Sequence, residues 1–138
     1  EGNDIEELPM FVNGLWNLVH LDCTSTDVRI VSKNIGALTN LVYLTLSNAK
    51  LKILPVSIGR LKNLVTLRLE GNDIEELPMF VNGLWNLVHL DCTSTDVRIV
   101  SKNIGALTNL VYLTLSNAKL KILPVSIGRL KNLVTLRL

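Results

Sequence analysis

The chain has 138 residues, 48% of them hydrophobic but only 4% aromatic, with 14 Lys and Arg against 12 Asp and Glu for a net charge of +2. A small net charge with both signs mixed argues against a nucleic-acid partner, and no apolar run approaches the roughly 18 residues that read as a membrane span. So few aromatic residues suit a narrow core of stacked Leu, Ile and Val.

Residues 1–69 and 70–138 are identical at every position. Natural tandem copies drift, so the identity points to a recent duplication, an engineered gene or a stretch of a longer repetitive protein. A shorter period lies inside, because 69 is three times 23. In chain order the elements are a partial coil over 1–17, full coils over 18–40, 41–63, 64–86, 87–109 and 110–132, and a partial coil over 133–138. Three coil types alternate. Type A reads LVTLRLEGNDIEELPMFVNGLWN from Leu64, type B reads LVHLDCTSTDVRIVSKNIGALTN from Leu87, and type C reads LVYLTLSNAKLKILPVSIGRLKN from Leu110. Apolar residues recur at places 1, 4, 6, 11, 14, 18 and 21, and every coil ends in Asn.

The opening LxxLxL of each coil alternates as a short strand with one buried face does. In the second half, Pro78 or Pro124 suits the first position of a short helix or 3₁₀ turn, where its missing N–H goes unmissed. Gly83, Gly105 and Gly128 are expected to relax the turns that follow.

The pattern LxxLxLxxNxL followed by LPxxIxxLxN, as in LPVSIGRLKN, resembles the leucine-rich-repeat family along the whole chain. The resemblance implies an α/β solenoid, an arc or superhelix with a parallel β-sheet on its concave face and short helical or 3₁₀ turns on its convex face. It also implies that a ninth-place Asn satisfies backbone groups at the turn inside each coil. That place holds Asn72 in type A, Thr95 in type B and Ala118 in type C, so a continuous Asn ladder is not expected. Thr95 is suited to replace the amide in part, and Ala118 is not. Type B also carries Cys92 for Leu at the sixth place and Ser101 for Pro at the fifteenth.

On this map the concave face shows His20, Tyr43, Arg68, His89, Asp91 and Tyr112, the candidate binding surface. Arg68 and Asp91 fall on adjacent strands within pairing reach, and an exposed pair of that kind contributes about 0–1 kcal/mol. His89 beside Tyr112 is the nearest approach to a chemical constellation. It lacks a nucleophile with a base and an orienting third group. With no Gly-rich phosphate loop and no metal-ligand cluster, the sequence reads as non-enzymatic, with no cofactor and no metal. The type A coils add a convex lateral patch of Met10, Trp16, Met79 and Trp85, with Phe80 expected to pack partly inward.

Cys23 and Cys92 sit three coils apart, roughly 14 Å at about 4.8 Å per stacked strand, too far for a disulfide. Unpaired thiols and the lack of an N-x-Ser/Thr sequon lean towards a reducing or prokaryotic setting.

Charge varies with coil type along the edge between the faces. The twelfth place reads Glu6, Arg29, Lys52, Glu75, Arg98, Lys121, and the tenth reads Asp4, Asp27, Lys50, Asp73, Asp96, Lys119. Type C is basic where its neighbour type A is acidic, so Lys50 and Lys52 are expected to face Asp73 and Glu75. No capping element is evident at either end, and the last six residues and the first seventeen sum to one coil. A head-to-tail junction would bring Lys119, Lys121, Leu133, Leu136 and Leu138 against Asp4 and Glu6 of a following unit. Such a contact is heterologous and closes into a ring or runs on as a filament. The first expectation is therefore a non-catalytic assembly scaffold whose partner is protein, above all copies of itself. The alternative is a protein-binding module that uses the concave face.

Overall fold

A computed structural model describes residues 4–8, 14–77 and 83–138. Among the described residues eight short strands lie in chain order: β1 (His20–Asp22), β2 (Tyr43–Thr45), β3 (Thr66–Arg68), β4 (Glu76–Leu77), β5 (His89–Asp91), β6 (Ile99–Val100), β7 (Tyr112–Thr114) and β8 (Thr135–Arg137). Six of them form one parallel sheet in the order β1-β2-β3-β5-β7-β8. Each residue pairs with the one 23 positions later, as in His20 with Tyr43 and Arg68 with Asp91. The step is the same across the block boundary as within a block, so the fold is one continuous solenoid.

The 23-residue period buries what it predicts. In the coil 41–63 the seven apolar places hold Leu41, Leu44, Leu46, Leu51, Leu54, Ile58 and Leu61, all buried. Each such side chain contributes about 1.5–3 kcal/mol through burial, and each packs only against its own coil and the two beside it. Tyr43 and Thr45, which flank Leu44 in the strand, point the other way and stay at least partly open, as strand alternation requires.

Among the described residues, the opposite side of the type B and type C coils is made of 3₁₀ turns, Lys33–Ala37, Val56–Arg60, Ile104–Ala106 and Val125–Arg129. Among the described residues no α-helix occurs. Pro55 and Pro124 stand one place earlier than expected, as the N-caps of these turns, with extended backbone and their carbonyls accepting from the Ile58 and Ile127 amides. Pro78 lies outside the described residues. Type B uses Ser instead of Pro. Ser32 is the N-cap of its turn and its Oγ accepts from the Asn34 amide at 3.2 Å, while Ser101 Oγ makes the same bond to the Asn103 amide at 3.2 Å ahead of a shorter turn whose N-cap is Asn103.

Of the glycines on this side, Gly36, Gly83 and Gly105 serve the close approach of successive coils and not the relaxing of turns, while Gly128 has open space around it. A Cβ at Gly105 would lie 2.5 Å from the Ser126 carbonyl oxygen, and one at Gly36 would lie 2.7 Å from that of Ser57. They are small so that successive 3₁₀ turns can nest. The tight bend sits elsewhere, at the eighth place, where Ser25, Asn48, Gly71, Ser94 and Asn117 all have φ between 53° and 70°.

A second run of parallel pairing follows that bend. β4 pairs with β6, and isolated bridges join Glu7 to Ile30 and Ile99 to Ile122. The coil therefore has two extended limbs, of which the sequence pattern indicated one.

Candidate interaction surface

Two ladders fix the concave sheet in register. The first is the Asn that ends each coil. Asn40, Asn63, Asn86, Asn109 and Asn132 each donate through Nδ2 to a carbonyl of the preceding coil, those of Trp16, Thr39, Lys62, Trp85 and Thr108, at 2.7–2.9 Å. An Asn ladder thus exists, but at place 23, where the sequence showed the residue and not its task. The second is the ninth place. Buried Asn72 donates to the Leu46 and Leu69 carbonyls and accepts from the Ala49 and Leu51 amides. Ala49 carries no polar side chain, and the Asn of the next coil does the work in its stead. Thr26 and Thr95 donate to the Cys23 and Cys92 carbonyls at 2.8 Å, the partial replacement expected of Thr.

On that frame β1, β2, β5 and β7 present two matching ring pairs. His20 and Tyr43 have centroids 5.6 Å apart at a tilt of 38°, and His89 and Tyr112 are 5.5 Å apart at 34°. Both fall in the favourable range for tilted rings. Beside the second pair, Asp91 accepts from the Thr93 amide at 2.9 Å and the Thr114 hydroxyl at 2.8 Å. Burial pushes the Asp91 carboxyl up. The Thr93 and Thr114 hydrogen bonds and the Arg68 charge outweigh it and hold the group below the usual carboxylate range. Arg68 does not pair with Asp91 directly. Its Nε lies 3.7 Å from Glu70 Oε1, while both threonine donors meet Asp91 at Oδ1. The surface offers hydrogen-bonding groups, two faces of aromatic carbon and the hydrogen-bonded carboxylates of Asp22 and Asp91, with no group primed for attack.

The charge edge differs from expectation in one respect. Lys50 Nζ meets Asp27 Oδ1 at 2.6 Å and Lys119 Nζ meets Asp96 Oδ1 at 2.8 Å. Each lysine reaches back to the preceding type B coil, and Lys50 does not reach forward to Asp73. A coil rise of about 4.8 Å puts both aspartates within reach of Lys50, and Asp27 is the one it meets. The Lys50 hydrogen bond also lowers the Asp27 pKa. Lys119 is therefore engaged within its own chain, and only Lys121 with Glu6 remains of the charge match proposed for a junction. Leu136 and Leu138 are open and Leu133 half-buried. Asp4 and Glu6 are exposed.

Trp16 and Trp85 are exposed as expected. Met10, Met79 and Phe80 lie outside the described residues, so the lateral patch is described only at its tryptophans. Cys23 and Cys92 are free and buried. Burial raises the Cys23 thiol to about 11 and the fully enclosed Cys92 further still. Among the described residues no group of three His, Cys, Asp or Glu is placed to hold a metal ion, and no helix is long and apolar enough to cross a membrane.

A solenoid of stacked 23-residue coils with an inner parallel sheet and outer 3₁₀ turns defines a class of protein, and comparison agrees. The family model described as leucine-rich repeat region matches residues 18–110, so the chain belongs to the leucine-rich-repeat family. No curated protein matches it by sequence. Among solved structures it is similar to the leucine-rich-repeat ectodomain of the Arabidopsis thaliana membrane receptor kinase GASSHO1/SCHENGEN3, in complex with CASPARIAN STRIP INTEGRITY FACTOR 2, at 26% identity and TM-score 0.80 over 97% of this chain and 16% of that one. It is also similar to the plant peptide hormone receptor RGFR1 in complex with RGF2, at 30% identity and TM-score 0.69 over 99% of this chain and 26% of that one. A Leptospira interrogans leucine-rich-repeat protein matches at 25% identity and TM-score 0.60 over 94% of this chain and 45% of that one. The chain spans less than half the length of each.

Proposed function

We propose that the chain is a non-catalytic protein-binding module that receives its partner on the concave sheet, centred on His89, Tyr112 and Asp91. The observation that carries this reading is the recurrence of the His–Tyr ring pair with the same geometry in both blocks. Three strand steps separate the copies, roughly 14 Å. A rigid, half-apolar surface repeated at fixed spacing suits a partner that is itself repetitive, since two linked contacts bind far more tightly than one. The ectodomain and the hormone receptor named above hold their ligands on the same fold, which is consistent with this use. Arg68, Tyr43 and His20 extend the surface towards the first block. The test is alanine replacement of His89, Tyr112 and Arg68 together. A drop of at least about tenfold in affinity for the partner, roughly 1.4 kcal/mol, supports the reading. Unchanged affinity overturns it.

A second reading, stacking into a longer array, has one favouring observation. Leu136 and Leu138 are open, while Leu67 and Leu69 at the same coil places are fully buried beneath the next coil. The rest of this type A coil and a type B coil after it, in this polypeptide or another copy, would cover them, with Lys121 near the type A twelfth-place Glu. Light scattering tests it. Masses that grow with concentration without limit support stacking, and a fixed mass of 15.3 kDa sinks it.

A further inference from the structure

The limb after the bend carries a feature that neither reading uses. Its thirteenth places form a row, Glu7, Ile30, Ile53, Glu76, Ile99 and Ile122, held in register by the parallel pairing of Glu7 with Ile30, Glu76 with Ile99 and Ile99 with Ile122. The isoleucines face solvent. Ile30 and Ile99 are each 58% exposed, and Ile53 and Ile122 are 76% and 75% exposed. Equivalent residues agree between blocks although their surroundings along the chain differ, so the exposure belongs to the coil itself. Val56 and Val125, in the 3₁₀ turns just beyond, are open as well. Each block thus shows a cluster of three β-branched side chains. Contiguous apolar patches larger than a few hundred Å² are rare on monomeric soluble proteins and mark interaction sites.

The charges beside this ridge are uncommitted, in contrast to the Lys50–Asp27 and Lys119–Asp96 pairs of the tenth place. Among the described residues Lys52, Glu75, Glu76 and Lys121 make no side-chain ion pair. Lys52, Glu75 and Glu76 share an open groove of about 800 Å³ with Ile53 and Val56. The twelfth-place order, Glu6, Arg29, Lys52, Glu75, Arg98, Lys121, decides what fits. A copy laid alongside in the same direction and register sets Glu on Glu and Lys on Lys. A copy turned end for end sets Glu6 opposite Lys121 and Lys52 opposite Glu75, and does so twice by symmetry. In the ridge itself it sets Ile30 opposite Ile99, Ile53 opposite Glu76 and Ile122 opposite Glu7, so that Ile53 and Ile122 pack on the methylene stems of glutamates whose carboxylates lie beside Lys52 and Lys121 of the other copy. Arg29 then faces Arg98, where the aliphatic stems cover the isoleucines while the guanidinium groups stay in water.

We propose that the isoleucine ridge is a docking surface for a second copy of this chain, laid antiparallel about a two-fold axis and keyed by Glu6–Lys121 and Glu75–Lys52 pairs. An isologous contact of this kind closes at two copies, unlike end-to-end stacking, and it leaves the concave sheets of both copies free. The apolar area is modest, which places the dimer among weak and reversible associations.

Light scattering across a wide concentration range is the first test. The mass is expected to rise from 15.3 kDa and to level at twice that value. Ile53→Glu with Ile122→Glu, both at exposed positions, is expected to hold the chain at the monomer mass with an unchanged circular dichroism spectrum. An all-acidic variant, Lys52→Glu with Lys121→Glu, and an all-basic one, Glu6→Lys with Glu75→Lys, are each expected to dimerise about tenfold more weakly. Mixing the two at equal concentration restores a dimer of one copy each. A wild-type mass fixed at the monomer value overturns the proposal, as does a dimer indifferent to the isoleucine changes. Growth past two copies that persists in the isoleucine variant also overturns it and identifies end-to-end stacking. Failure of the two charge variants to pair on mixing overturns the antiparallel arrangement.

Discussion

Asn72 serves two coils at once. Its Oδ1 holds the Ala49 and Leu51 amides of the preceding coil and its Nδ2 holds the Leu46 and Leu69 carbonyls. Alanine at this position strands several buried backbone groups, and each costs about 1–3 kcal/mol. Asn72→Ala is expected to lower the unfolding free energy by about 3 kcal/mol in urea titration. The same change at Asn86, whose single bond lies at the surface, is expected to cost under about 1 kcal/mol. Asp91 gives the residue scale its pH dependence. Its folded-state pKa lies below the ordinary value, so its contribution is fully present above the unfolded value near ~4 and fades as pH falls through the folded one. Asp91→Asn is expected to flatten the acid limb of a stability-against-pH curve and to leave its neutral region level. The thiols react in the opposite sense. Burial suppresses the thiolate of Cys23 and more strongly that of Cys92. Iodoacetamide followed by mass spectrometry is expected to label neither in the native state, and Cys23 before Cys92 as urea is added.

The 3₁₀ turn is the element on which nesting depends. Gly105 lies against the Ser126 carbonyl so closely that a methyl group forces backbone to move, and overpacking of this kind costs typically 1–3 kcal/mol. Gly105→Ala is expected to lower stability by about 2 kcal/mol, while Gly128→Ala, with open space around it, is expected to be nearly neutral. Thermal melts of the pair separate nesting from helix propensity, since the two glycines hold the same place in their coils. The eighth-place bend makes the complementary point. Ser94 and Asn117 adopt there the left-handed conformation that Gly71 adopts freely. The repeat pattern carries no mark of that requirement, since three residue types satisfy it.

For the whole molecule, stability is a sum over coils and their interfaces. Leu44, Leu67 and Leu90 are wholly enclosed between neighbours, whereas Leu21 is only partly buried and Leu136 is open. Hydrogen exchange is expected to be slowest in β2, β3 and β5 and to quicken towards β1 and β8, because local opening follows the number of buried neighbours. Equal protection from end to end would indicate that further coils, from another copy, cover both ends.

The sequence by itself determined the 23-residue period, the buried rows, the parallel sheet and the family, because a repeated apolar spacing admits one way of stacking coils. It also placed His89 beside Tyr112, since register follows from the period alone. Only the tertiary structure decided the choices made between coils. Lys50 had an aspartate on either side and met Asp27. Asp91 had Arg68 and Thr114 within reach and bonded the threonine. Ala49 lost its own amide partner and gained one from Asn72. The place-23 asparagines and the nesting glycines are visible in the sequence, but their partners lie 21–24 residues away. The isoleucine ridge was hidden for a related reason. Place 13 lies between the buried places 11 and 14 and is apolar in two coil types of three, and only the paired second limb shows that it turns outward.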